Sequence, residues 1–312
     1  MKQTLTSSNL LNQRILGIIL ILISAAGFGA MPIFANYAYK YGTNPVTLLF
    51  LRFTLASGIM LTCHMLRDTR FPTGRVLIIL ILMGGLGYAG QSFTYFTALL
   101  YAPAGTVAIL LYMCPALVTG LAIVFFKHKI TLLEIIALTL ALTGGVCVVG
   151  PEIGGKLLGI VLGLMSALIY SIYIITGSRV MPNTDVITAS TIIMMSAGAV
   201  FTIGILVHGP QFPTQVAGWS AIGAIVVFST VISMLTFFEG LKRIGPVHSS
   251  ILSTFEPVVT IYLSWIVFGE GLTLIKFFGG VMILTAGIML AGNLQSLQQK
   301  RNIMPKKQRR KK

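Results

Sequence analysis

A chain of 312 residues with 55% hydrophobic and 9% charged residues is not an ordinary soluble domain, in which about a quarter of residues carry charge. The net charge of +15 does not call for nucleic acid, because its largest block is eight basic residues in the tail from Lys300 to Lys312. A mean hydropathy of +0.91 points instead to a polytopic membrane protein.

Crossing a hydrocarbon core of ~30 Å takes about 20 apolar residues in a helix. Ten such spans are read in order: 15–35, 46–66, 76–98, 105–126, 131–149, 157–178, 186–208, 217–238, 247–268 and 272–292. They are continuously apolar and lack the period-two alternation of a membrane barrel. The expected fold class is therefore an all-α polytopic membrane protein. Residues 1–14 would form a cytoplasmic N-terminus, 150–156 a periplasmic linker and 293–312 a basic cytoplasmic tail. Span one is too long for the apolar region of a signal peptide, and it has a counterpart in span six, so it is expected to be retained.

The two halves match at a constant offset of 142 residues. Leu16–Ala25 reappears as Leu158–Ala167 with seven of ten positions identical. The same register pairs Phe96 with Phe238, Leu99 with Leu241, Pro115 with Pro257, Thr131 with Thr273 and Gly145 with Gly287. One five-helix unit has been duplicated, giving repeats over 15–149 and 157–292. An odd number of crossings obliges the second copy to enter the bilayer from the opposite side, the inverted-topology arrangement of many secondary transporters. Basic residues fix the expected orientation. Arg14, Arg67, Arg70, Arg75, Lys127, Lys129, Arg179, Lys242 and Arg243 all fall on the N-terminal side, whereas Lys40, Lys156 and Lys276 fall on the other. By the positive-inside rule both termini are cytoplasmic. The tail run Lys306–Lys312 suits a topogenic segment or contact with anionic lipid.

Cys63, Cys114 and Cys147 have no Cys-x-x-Cys spacing, and His64, His128, His208 and His248 have no metal-ligand spacing. No P-loop, zinc-protease motif or aspartate cluster is present in the sequence. The expectation is no catalytic residue, no metal and no cofactor: a protein that is not an enzyme.

The informative residues are polar ones at membrane depth, where ionisable groups are costly and usually functional. Glu256 lies near the middle of span nine, where Ser249, Ser253, Glu256 and Thr260 follow helical spacing. Further stripes are Tyr88, Gln91 and Tyr95 in span three; Ser166, Tyr170 and Tyr173 in span six; and Ser229 and Ser233 in span eight. These residues are the candidate substrate pathway. Tyr37, Tyr39 and Tyr41 read as an interfacial belt. Arg52 either snorkels outward or pairs inside the protein. Pro115 and Pro257 each remove a backbone donor, freeing the carbonyls of Leu111 and Ser253, and predict two kinks in equivalent helices.

The duplication, Arg52 after Asn44-Pro45, Ala104-Gly105-Thr106 leading to Pro115, and Glu256-Pro257 followed by Gly269-Glu270 together resemble the EamA family of the drug/metabolite transporter superfamily. The resemblance covers spans one to ten. It implies a basket-like bundle with a central cavity lined by helices one, three, four, six, eight and nine, working without ATP. One departure stands out: the Gly-Glu expected after span four is Lys127-His128.

The reading is a secondary transporter in a bacterial-type inner membrane, moving a small polar or zwitterionic metabolite, such as an amino acid, by alternating access. Expected partners are that substrate, protons as a candidate coupling ion, and the lipid bilayer, with no nucleic acid. The residues do not distinguish a monomer from a homodimer. Two alternatives stay open: a non-transporting scaffold or enzyme subunit, and a carrier of drug- or nucleotide-type metabolites.

Overall fold

The structure is a computed structural model. It describes residues 7–303 apart from 68, 99, 103, 150–154, 270 and 272. Most of the expected linker, Glu270 and the end of the basic tail therefore lie outside the described residues.

The first half comprises α1 (Ser7–Lys40), α2 (Pro45–Met65), a composite third span, a broken fourth span and α7 (Leu132–Val149). The third span joins α3 (Arg75–Leu82) to α4 (Ala89–Ala98) through a π-helical segment, Met83–Tyr88. The fourth consists of α5 (Ala104–Leu111) and α6 (Cys114–Phe126). The second half follows the same plan with α8 (Leu157–Val180) and α9 (Val186–His208). Its composite span is α10 (Val216–Val226), a π-helical Val227–Ile232 and α11 (Ser233–Ile244). Its broken span is α12 (Pro246–Ser253) and α13 (Glu256–Phe268), followed by α14 (Leu274–Ile303). No strand occurs among the described residues.

The 142-residue register survives in three dimensions. Ala104 and Pro246, Cys114 and Glu256, and Leu132 and Leu274 open matching helices. Nine helices among the described residues are long and apolar enough to span a membrane. The expected tenth differs: the apolar part of α14 is Leu274–Leu290, only about 26 Å of helix at ~1.5 Å per residue, a little short of a ~30 Å core. Asn293 and Gln295 follow soon after and end the apolar run.

Small residues set the helix contacts, as is usual where lipid supplies no hydrophobic drive for association. A Cβ on Gly17 of α1 would lie 2.7 Å from Ile244 Cγ2 in α11. A Cβ on Gly159 of α8 would lie 2.8 Å from Ala102 Cβ, just beyond α4. Gly17 and Gly159, like Ala102 and Ile244, are separated by the repeat offset, so each contact is the image of the other. Helices α2 and α9 run antiparallel. Thr47 at the start of α2 accepts a bond from the Gln211 amide beyond α9 (2.9 Å), whereas His64 at the end of α2 meets Thr188 at the start of α9 (3.1 Å). Helices α7 and α14 meet at Gly144 and Gly279, with no room for a side chain on either.

The proline expectation takes a definite form. Pro115 and Pro257 stand in the first turn of α6 and α13, where a missing N–H costs least. The chain crosses each break by tight turns: the Met113 amide donates to the Leu110 carbonyl (3.1 Å) and the Phe255 amide to that of Leu252 (3.1 Å). Both breaks fall at the middle of their spans, beside the central cavity.

Candidate functional site

A cavity of about 400 Å³ occupies the centre of the bundle, within the range of small-molecule sites. It extends along the second half of α1, from Phe28 to Tyr39. Gly29 lets α1 reach α13 here, since a Cβ would stand 2.5 Å from the Glu256 carbonyl oxygen. Thr260 fixes the same contact by donating to the Gly29 carbonyl at 2.7 Å. The walls are largely aromatic: Tyr88, Tyr95, Phe96, Tyr112, Tyr170, Tyr173 and Phe237 join Phe28 and Tyr39. Tyr88 lies 5.6 Å from Tyr173, and Tyr173 lies 6.2 Å from Tyr170, centroid to centroid.

Glu256 is the only described acidic residue on this wall. Its carboxylate has no hydrogen bond or ion pair to any described residue. The other three described acids are engaged. Asp185 caps α9 through the Thr188 amide (2.9 Å), Glu239 pairs with Arg243, and Glu134 accepts from the Thr131 amide (2.8 Å). Glu256 also borders a second void of about 30 Å³, shared with Cys114, Pro115, Ser250 and Ser253. That void has room for a water. The carboxyl-bearing residue thus borders two spaces, at the break between α12 and α13.

Arg52 lines the cavity from α2, and is only 3% exposed. It pairs inside the protein and does not snorkel. Its Nε donates to Thr230 Oγ1 (2.8 Å) and its Nη2 to the Tyr88 hydroxyl (2.6 Å). Its guanidinium carbon lies 5.0 Å from the Phe53 ring centroid and 5.4 Å from that of Tyr88, close enough for cation–π attraction. Thr230 and Tyr88 belong to the two π-helical segments, so one side chain joins the irregular turns of both halves.

The structure brings Tyr88, Gln91, Tyr95, Tyr170, Tyr173 and Glu256 to the cavity wall, and Ser253 to the smaller void. Ser166 stands behind the wall and holds Gln91: Gln91 Nε2 donates to its Oγ (3.2 Å), and that Oγ donates to the Gln91 carbonyl (3.2 Å). The expectation for Ser229, Ser233 and Ser249 needs correction, because all three are fully buried and outside the cavity lining. In span eight both serines lie on the side of the helix packed into the bundle, away from the cavity that Met234 and Phe237 line. Ser233 faces Gly27, where a Cβ would stand 2.0 Å from its Oγ, and donates to the Phe228 carbonyl (2.8 Å). Span nine is broken after Ser253, so Ser249 and Glu256 no longer share one continuous face. Tyr39, read as a belt residue, lines the cavity instead. Tyr37 stacks on Phe268 at 5.9 Å.

Two features escaped sequence reasoning. Arg52 belongs to the wall, and its signal was only a cation seven residues into a span. His128 and His248 were separated in sequence, yet both approach Glu134 Oε1, at 3.1 and 3.8 Å. That cluster joins the start of α7 to the start of α12, at the end of the bundle away from the cavity lining.

Comparison with known proteins agrees with this architecture. The profile of the EamA-like transporter family matches residues 15–150 and again 157–292. The chain is 24% identical over 289 residues to a Bacillus subtilis protein named as uncharacterized transporter YcbK, covering 87% of this chain and 92% of that one. It is 26% identical over 271 residues to an uncharacterized transporter of Archaeoglobus fulgidus, covering 87% and 94%. An Escherichia coli protein named as uncharacterized inner membrane transporter YedA is 24% identical over 253 residues, covering 80% and 82%. A solved crystal structure aligns with a TM-score of 0.78 at 18% identity, over 92% of this chain and 98% of its own, and shares the fold.

Proposed function

This chain belongs to the EamA-like transporter family, and from that premise we propose that it is a secondary transporter carrying a small polar metabolite, of amino-acid type, through the central cavity. The observation that carries the reading is Glu256: a carboxyl without a partner among the described residues, at mid-span, between a cavity of about 400 Å³ and a smaller void. An ionisable group so placed marks a pathway.

The mechanism proposed is alternating access between two inverted five-helix repeats. Its support is the mirrored pair of contacts, Gly17 with Ile244 and Gly159 with Ala102. With the termini in the cytoplasm, as the basic residues require, the cavity occupies the outer half of the bundle. The inner half is then the closed one, held by the Gly17–Ile244 seam and by Glu134 with its two histidines. Opening inward would part these inner contacts, while the Gly159–Ala102 contact at the other end is already made. The cell inner membrane of a bacterial-type cell is the proposed location, and the proton is the proposed coupling ion because Glu256 can carry one.

Purified protein in liposomes, offered a panel of radiolabelled metabolites on either side, tests the reading. At least one should cross faster than in protein-free liposomes, and preloaded unlabelled substrate should accelerate entry of the label. A panel that includes amino acids, nucleosides, sugars and organic cations, none of which crosses, would overturn it.

A further inference from the structure

We propose that the cavity is a two-ended site for a zwitterion, in which Arg52 takes the anionic group and Glu256 the cationic one. This rests on the transport reading above and goes further, assigning Arg52 to the binding site and setting the charge pattern of the cargo.

Two ionisable side chains on the cavity wall are left incompletely partnered by the described residues. Arg52 is nearly buried, and its two observed hydrogen bonds go to neutral hydroxyls. No described carboxylate comes within 4.0 Å of it, and its Nη1 has no hydrogen-bond partner among the described residues. That nitrogen is not sealed away either, since it is absent from the fully buried, unpartnered polar atoms. Glu256 is the complementary case on the same wall, its oxygens unpartnered and likewise not sealed. The two side chains do not neutralise each other, because no ion pair joins them.

Leaving one buried charge uncompensated is costly, whereas pairing both makes the burial tolerable. A simple cation would satisfy Glu256 and leave Arg52; a simple anion would do the reverse. A ligand with a carboxylate at one end and an ammonium at the other satisfies both at once. The guanidinium also offers planar N–H donors that suit a carboxylate. It cannot swing freely, since Thr230 and Tyr88 hold it on two sides. Tyr95, Tyr170 and Tyr173 line the same cavity, and their rings suit an apolar or aromatic side chain. The chemistry is that of an α-amino acid with both charged groups free.

The test uses the full chain in liposomes and the twenty proteinogenic L-amino acids. Each one transported is compared with its methyl ester, which lacks the anion, and its N-acetyl derivative, which lacks the cation. The wild type should prefer the free amino acid over both by about tenfold or more, a difference of about 1.4 kcal/mol in binding. Arg52→Gln should erase the preference over the ester, and Glu256→Gln should erase the preference over the N-acetyl form. A purely structural Arg52 would change rates without changing that ratio. Should Arg52→Gln not fold, the wild-type ester comparison decides alone. Equal handling of acid and ester by the wild type overturns the inference while leaving transport intact. Movement of another metabolite but of no amino acid does the same, whereas silence across every compound overturns the transport reading as well.

Discussion

Tyr88 and Thr230 lie in opposite halves of the chain and accept hydrogen bonds from the same guanidinium, that of Arg52, at 2.6 and 2.8 Å. Each belongs to a π-helical segment, the kind of local irregularity that recurs at functional sites. In the second half the widened turn has its own support, because Thr230 Oγ1 donates to the Ile225 carbonyl five residues back (2.9 Å). Thr230 therefore serves two partners, a backbone carbonyl of its own helix and the arginine of another.

Thr230→Val keeps the shape and deletes both bonds. It should lower stability by about 1–2 kcal/mol, in the range measured for polar contacts between membrane helices and for hydrogen bonds to charged groups. Thr230→Ser should recover most of the loss. Thermal unfolding of the purified variants in detergent checks this; an unchanged midpoint for Thr230→Val would show that Tyr88 alone holds Arg52.

A second prediction concerns Gly144 and Gly279. A Cβ on either would stand 2.7 Å from the carbonyl oxygen of the other. Gly144→Val and Gly279→Val should each force α7 and α14 apart, at about 1–3 kcal/mol for overpacking. Once the helices have separated, the second substitution has less left to disturb. The double variant should therefore cost clearly less than the sum of the two singles. A double-variant cycle on unfolding midpoints measures the coupling, and strict additivity would place the two glycines in independent contacts.

Much of this fold is legible in the sequence because the duplication is. A register held from Leu16 to Gly145 is long-range information of a kind that single motifs do not carry, and it anticipates that Cys114 and Glu256 open equivalent helices. The apolar lengths give nine of the ten spans among the described residues. The lining was only partly readable, because stripes drawn at 3.6 residues per turn assume an unbroken α-helix. Tyr170 and Tyr173 lie in the unbroken α8 and reach the cavity; of the residues in and beside the two π-helical segments, Tyr88 and Gln91 reach it and Ser229 and Ser233 do not. Nothing in the sequence of Val227–Ile232 announces that segment. Thr131-x-x-Glu134, by contrast, carries a readable capping signature. The Thr131 amide donates to Glu134 Oε2 (2.8 Å), and the Glu134 amide donates to Thr131 Oγ1 (3.2 Å). What the signature omits is that the same carboxylate collects His128 and His248 from elsewhere in the chain.

Lys127 supplies a third prediction. It follows α6 with φ of 53°, the only described non-glycine residue with positive φ, and its counterpart Gly269 follows α13 with φ of 69°. The left-handed conformation disfavours any residue with a Cβ by roughly 1–2 kcal/mol. Lys127→Gly should therefore raise stability by about 1 kcal/mol after the added flexibility of the unfolded chain is allowed for. Lys127→Val should lower it, since β-branched residues tolerate this region worst. The unfolding midpoints of the two variants should move in opposite directions. A fall for Lys127→Gly would mean that the ammonium contributes more at this end of α6 than the backbone costs.

The last prediction separates a transport role for Glu256 from a structural one. Its carboxylate bonds to no described residue, so Glu256→Gln removes a charge and a proton site without deleting a visible contact. The variant should insert and melt like the wild type, yet transport at least about tenfold more slowly, the effect of losing about 1.4 kcal/mol of pathway stabilisation. Any pH dependence that arises from protonation of this carboxyl should disappear with it. Glu256→Asp, shorter by one methylene, should keep the charge, part of the rate and the pH dependence. Pro257→Ala restores the backbone donor missing at the break between α12 and α13. It should alter rate through the geometry of the bend while leaving the shape of the pH profile unchanged. Uptake against pH, at matched protein density in liposomes, distinguishes these outcomes. Wild-type rate and profile in Glu256→Gln would reduce the residue to a tolerated polar group and remove the main support for the pathway. Loss of pH dependence in Glu256→Gln with its retention in Pro257→Ala would tie coupling to the carboxyl itself, independent of the break on which it sits.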